Sequence, residues 1–123
     1  ADFAREVGTR CASVGEPQVQ VSGDPDRLVS RIGIGTGCAC GIPAYWEMDC
    51  DCSIVCDDGS CYWSNIQMAI DREHPVIRVN HATSEEPGMV TLAAYLEQAF
   101  PGLSVEQLPQ GCRFQLSGAS AES

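Results

Sequence analysis

Residues 75–100, PVIRVNHATSEEPGMVTLAAYLEQAF, constrain the fold more than any other part of the chain. Three of the four residues from Val76 to Val79 are β-branched, which suits a strand buried in a parallel sheet, and Pro75 marks its start. Beyond His81 the period changes. Met89, Leu92, Leu96 and Phe100 recur at helical spacing, Ser84 is a natural N-cap, and Pro101 with Gly102 ends the run. A buried strand feeding directly into a helix is half of a right-handed crossover, so the segment predicts an α/β fold.

The rest of the chain continues the alternation. Asp2 to Val7 is a short amphipathic piece suited to the end of a helix, and Gln18 to Val21 alternates like a strand. SGDPDR, Ser22 to Arg27, is turn chemistry around a proline. Leu28 to Ile34 reads as a strand stopped by the glycine-rich GTGCACG, and Ile42 to Met48 as a helix that Pro43 permits in its first turn. Cys52 to Cys56 reads as a short buried strand, DDGSC as a loop, and Tyr62 to Ile70 as a helix with Trp63, Ile66 and Ile70 near one face. Leu103 to Leu108 and Arg113 to Leu116 supply one or two closing strands. No repeat or linker divides the chain, so residues 1–116 are expected to form one α/β domain around a mainly parallel or mixed sheet. The small, polar tail SGASAES, 117–123, is expected to be flexible.

Composition narrows the function classes. With 123 residues and 44% hydrophobic content, the chain can bury roughly two-thirds of its unfolded surface in one core. Its net charge of -10, from 17 acidic against 7 basic residues, disfavours nucleic acid and anionic membranes, which are held by clustered Lys and Arg. No apolar run approaches the ~18 residues that span a bilayer. Of eight cysteines, six fall between Cys38 and Cys61. An even count suits a disulfide framework in a secreted chain, but the long apolar periodic segments favour reduced thiols in a cytoplasmic protein.

In a parallel sheet the loops leaving the strand carboxyl ends gather along one edge, where ligands bind. Three such loops, Gly35 to Gly41, Cys56 to Cys61 and Asn80 to Glu86, bring Cys38, Cys40, Cys56, Asp57, Asp58, Cys61, His81, Glu85 and Glu86 together. His81 and Glu85, four residues apart, offer an imidazole and a carboxylate suited to zinc, manganese or iron. Two ligands are not a complete site. The glycine loop has neither GxGxxG spacing nor a Walker lysine, so it is not a nucleotide fingerprint. Plainer roles exist for every one of these residues: His81 at a helix start, Glu85 and Glu86 at the positive end of a helix dipole, Asp57 and Asp58 as turn formers. Cys50, Cys52, Cys11 and Cys112 suit core filling, and His74 a polar surface loop.

The run PVIRVNHATSEEPGMVTLAAYLEQAFPGLSVEQLP resembles the closing segment of the Nif3-like proteins: a strand, a His-x-x-x-Glu element, a helix and a last strand. VSGDPDRLVSRIGIGTG and CDCSIVCDDGSCYW are similar to earlier parts of that family's second half, so the likeness covers about Val19 to Leu116. The resemblance implies the C-terminal half of a Nif3-like α/β protein, with a dinuclear centre of divalent metal ions at the sheet edge and ring assembly, often a hexamer. His81 and Glu85 match the two ligands the family takes from this half. The family's His-His pair and Asp come from an N-terminal half that is absent here, which implies a fragment or split subunit whose homo- or hetero-oligomeric partner completes the site.

Two function classes follow. In the first, the assembled protein is a hydrolase-like enzyme, as the family's common label of GTP cyclohydrolase type 2 homologue implies. It acts on a phosphate- or nucleotide-type small molecule, with Asp58 or Glu86 handling protons. In the second, Cys38, Cys40, Cys56 and Cys61, which depart from the family's loops, bind a soft metal or an iron-sulfur cluster in a sulfur-handling or metal-delivery protein.

Overall fold

The computed structural model describes residues 1–38, 41–115 and 117. Its elements run α1 (Asp2–Ala12), β1 (Gln20–Ser22), β2 (Ile32–Ile34), α2 (Ile42–Glu47), β3 (Cys52–Cys56), a π-helical segment (Tyr62–Gln67) leading into α3 (Met68–Asp71), β4 (Val76–Val79) and α4 (His81–Ala99). The four strands lie in the order β1-β4-β3-β2. β2, β3 and β4 are mutually parallel, and β1 adds antiparallel to β4, so the sheet is mixed.

β3 sits at the centre because its residues tolerate cover on both faces: Cys52, Ser53, Val55 and Cys56 are all buried. On one side Val55 packs with Ile42 and Tyr45 of α2, Ala69 of α3 and Val76 of β4, with Trp46, Cys50 and Ile66 at the margin. This is the continuous apolar core that the strand and helix patterns require. Gly33 lets α2 approach β2 closely. A Cβ there would stand 2.4 Å from Cδ1 of Tyr45.

Several expectations need correction. β2 begins at Ile32, not Leu28, because the carboxylate of Asp51 accepts the backbone N–H groups of Ser30 and Arg31 at 2.9–3.1 Å. Those donors are unavailable to a strand ladder, and Leu28 is 94% exposed. The helical stretch after Cys61 begins as a π turn, which changes the residues sharing a face: Ile66 reaches the core while Trp63 and Ile70 stay exposed. α4 starts at His81, three residues before the expected cap Ser84, and carries Pro87 inside it. No strand follows β4 among the described residues. Residues 103–115 are irregular, while Leu116 and most of the expected flexible tail lie outside the described residues. Cys11 and Cys112 are half-buried, not core.

His74 is buried, not on the surface, at 6% exposure. Its Nε2 lies 2.8 Å from the Ser53 hydroxyl on β3, and Trp46 meets its ring edge-on.

Two consequences are measurable. Gly33→Ala forces Tyr45 off β2, and such overpacking costs about 1–3 kcal/mol; a lowered urea midpoint with unchanged slope is expected. Burial, reinforced by the charge of Arg27, holds the His74 pKa below the ordinary histidine value. The unfolded chain, with a histidine pKa of about 6.5, then binds a proton that the folded chain does not. Stability from neutral His74 is full above about pH 6.5 and is lost as pH falls through the lower folded value. The unfolding temperature should fall on acidification across that window, less steeply in His74→Gln; an unchanged slope in the variant would refute the assignment.

Candidate metal centre

The chain that leaves β3 and the chain that leaves β4 are locked together before any site chemistry begins. Arg78 on β4 donates to the Asp57 carbonyl at 2.8 Å and to the Ser60 hydroxyl at 3.0 Å, and Ser60 donates back to the Cys56 carbonyl at 2.7 Å. With that loop fixed, the Asp57 carboxylate accepts the His81 backbone N–H at 2.8 Å and the Asn80 side-chain amide at 3.0 Å. Asp57 therefore caps the first turn of α4 from a different loop, which explains why the helix begins at His81. Glu16, buried, takes the Asn80 backbone N–H with both oxygens at 2.9–3.0 Å.

The loop after β2 closes the third side. Gly35 extends the pairing with β3 through its N–H to the Ile54 carbonyl at 3.0 Å, and Gly37 donates to the Ser84 hydroxyl at 3.3 Å. Gly37 has φ +58, and a Cβ there would stand 2.6 Å from Glu85 Oε1 and 3.4 Å from His81 Nε2. Both the backbone sign and the space call for glycine.

Within this frame His81 meets a carboxylate at each ring edge. Nδ1 lies 2.6 and 2.8 Å from the two oxygens of Asp58, and Nε2 lies 3.1 Å from Glu85 Oε1. The hydrogen bond with Asp58, with the charges of Asp58 and Glu85, raises the His81 pKa. Bonds from the Cys56 thiol and from His81 lower that of Asp58. Cys56 is fully buried; its thiol reaches the Gly37 carbonyl and lies 3.0 Å from Asp58 Oδ1. Burial and the Asp58 carboxylate push its pKa up to about 11. Cys56, Asp58 and His81 each present a ligand atom within 4.8 Å of the others, close enough to hold one metal ion.

The remaining candidates are placed differently. Glu86 is buried beside Glu85, but its oxygens accept from the Gln107 side chain and the Gln110 and Gly111 backbone N–H groups at 2.8–3.0 Å. It tethers the irregular C-terminal segment to α4. Cys38 and Cys61 are exposed thiols; among the described residues neither joins Cys56 in a metal-sized group, and Cys40 lies outside those residues. Sequence reasoning did not single out Glu16 or the fixing role of Gly37. Glu16 carried no local signal, whereas a glycine in a strand-following loop did.

A mixed sheet with imidazole, carboxylate and thiol donors at the carboxyl ends of its parallel strands defines an α/β protein with a metal-type donor set at the sheet edge. The family model Duf34/NIF3 (NGG1p interacting factor 3) matches residues 1–110, and the chain belongs to that family. The fold is similar to the crystal structure of Staphylococcus aureus protein SA1388, with a TM-score of 0.69 at 20% identity; the match covers 94% of this chain and 33% of that one. The chain thus spans about a third of the length of that structure. No curated protein matches it.

Removing the cross-loop cap should loosen α4. Asp57→Ala is expected to lower stability by about 1–2 kcal/mol, with Asp57→Asn retaining part of it. Thermal unfolding checks this, and equal losses in both variants would sink the capping role.

Proposed function

We propose that this chain supplies His81 and Glu85 to a divalent metal centre in a hydrolase-like enzyme acting on a phosphate- or nucleotide-type small molecule. The observation that carries the reading is the pinned imidazole: Asp58 holds its Nδ1 edge, and Nε2 and Glu85 Oε1 converge 3.1 Å apart beside Gly37. The donor set fits zinc, manganese or iron, and the Gly37 cradle keeps the space beside the two donor atoms free of a side chain. When bound, the ion supplies Lewis acidity and positive charge.

The chain's own residues do the rest. Asp58 accepts the Nδ1 proton, which fixes the tautomer and turns the Nε2 lone pair outward, a common arrangement behind metal-ligating histidines. Asp58 is also the exposed carboxylate able to take up or release a proton at this edge. His81 shares an open cleft of about 370 Å³ with Asn80, Arg113 and Phe114. A guanidinium and an aromatic ring beside the histidine suit a phosphate carrying a planar base. In a chain with a net charge of -10, such local positive charge is what an anionic substrate requires. Glu86 keeps a positioning role through the C-terminal segment, which carries Arg113 and Phe114.

His81 and Glu85 alone leave the coordination shell short, so a partner segment, in a homo- or hetero-oligomer, would supply the remaining ligands, as in a two-ion centre. No helix among the described residues is long and apolar enough to cross a membrane.

The test is metal and acid-labile sulfide content of protein purified without oxygen, together with native mass. Bound zinc, manganese or iron without sulfide, reduced about tenfold or more in His81→Ala, is expected. Iron with sulfide, or metal fully retained in that variant, would overturn the reading.

A further inference from the structure

The two edges of the His81 ring face different carboxylates, and a neutral imidazole ligates through one nitrogen while the other keeps its proton. With a metal on Nε2 beside Glu85, the proton sits on Nδ1 and Asp58 accepts it. The opposite tautomer is equally well provided for. Its Nε2–H has Glu85 Oε1 at 3.1 Å, and the freed Nδ1 looks onto Asp58 and, through it, onto Cys56, whose sulfur lies 3.0 Å from Asp58 Oδ1. Each carboxylate is a ligand in one state and a hydrogen-bond acceptor in the other.

The geometry points to a second metal site: we propose that Cys56, Asp58 and Nδ1 of His81 bind one thiophilic divalent ion of the zinc class, in exclusion of binding at Nε2 and Glu85. Metal bonds of about 2.0–2.3 Å place tetrahedral ligand atoms roughly 3.5 Å apart. One ligand atom from each residue lies within 4.8 Å of the others, Nδ1 being 2.6 and 2.8 Å from the Asp58 oxygens and the sulfur 3.0 Å from Asp58 Oδ1, so small side-chain shifts suffice. On binding, the Cys56 S–H bond breaks, its proton leaves to solvent, a sulfur–metal bond forms and no oxidation state changes. A thiolate among the donors selects zinc or cobalt over magnesium or manganese.

Gly59 passes close over the thiol, where a Cβ would be 3.4 Å from Cys56 Sγ and 2.8 Å from the Gly37 carbonyl. Side chains of Asp58 and His81 are 56% and 38% exposed, so an ion arrives from solvent on their side while the sulfur stays buried. Three protein donors with an open fourth position complete the set within this chain. Unlike the Nε2 reading, it needs no partner.

Anaerobic titration of the full chain with cobalt(II) tests the site. A thiolate-to-cobalt charge-transfer band in the near ultraviolet is expected, saturating at one equivalent, lost in Cys56→Ser and retained in Glu85→Gln. Asp58→Asn, at an exposed side chain that tolerates substitution, should weaken cobalt binding by about tenfold or more. Cobalt bound without the band, a band surviving in Cys56→Ser, or a second equivalent taken up at the same time would overturn the proposal. If Cys56→Ser fails to fold, an unchanged cobalt affinity in Asp58→Asn overturns it alone. Manganese(II) binding that is lost in Glu85→Gln but kept in Cys56→Ser reports on the Nε2 reading separately.

Discussion

The carboxylate of Asp57 is the constraint on which the site depends. By accepting the backbone N–H of His81 and the side-chain amide of Asn80, it ties the exit of β3 to the start of α4 and decides where that helix begins. A helix starting at Ser84 would leave His81 on a connecting strand, free to turn. Starting at His81 puts the histidine and Glu85 one turn apart on the same face. The distance from Nε2 to Glu85 is therefore a consequence of a cap made three-dimensionally, not of a local motif.

The same logic explains what was legible in the sequence. Cys52 to Cys56 and Val76 to Val79 were readable as strands because their side chains demand burial wherever the chain goes. α2 was readable because a first-turn proline after a glycine admits little else. The three loops were expected at one edge because parallel order alone puts them there, and the structure does bring Gly37, Cys56, Asp58, His81 and Glu85 within contact distance. The partners of a carboxylate were not readable. Asp51, Asp57, Glu16 and Glu86 each seek backbone N–H groups in a segment remote in sequence, and nothing local names that segment. The shortened β2, the early α4 and the lack of a closing strand among the described residues follow from those carboxylates.

This use of carboxylates recasts the acidic balance of the chain. Among the described residues, ordinary ion pairs are few and exposed: Arg5 with Asp2 and Arg10 with Glu6 on α1. Exposed pairs of that kind contribute little, about 0–1 kcal/mol. The acidic groups that matter accept from one N–H donor, at Glu16, to three, at Glu86, and charge-assisted bonds to otherwise unpaired backbone donors are worth more. Residues 103–115 form no strand because Glu86, not a sheet edge, satisfies the donors of Gln110 and Gly111.

Two adjacent glutamates on α4 consequently face opposite tasks. Glu85 meets the histidine at the sheet edge, while Glu86 holds the segment that lines the neighbouring cleft with Arg113 and Phe114. Because both hang from the same two turns of helix, and because Asp57 fixes where those turns begin, the geometry of the donor atoms and the shape of the cleft cannot vary independently. A shift of α4 by one residue would break the His81–Asp58 contact, the Glu85–Gly37 approach and the C-terminal tether together. The donor atoms are thereby coupled to one another, although they come from two loops and the first turns of a helix.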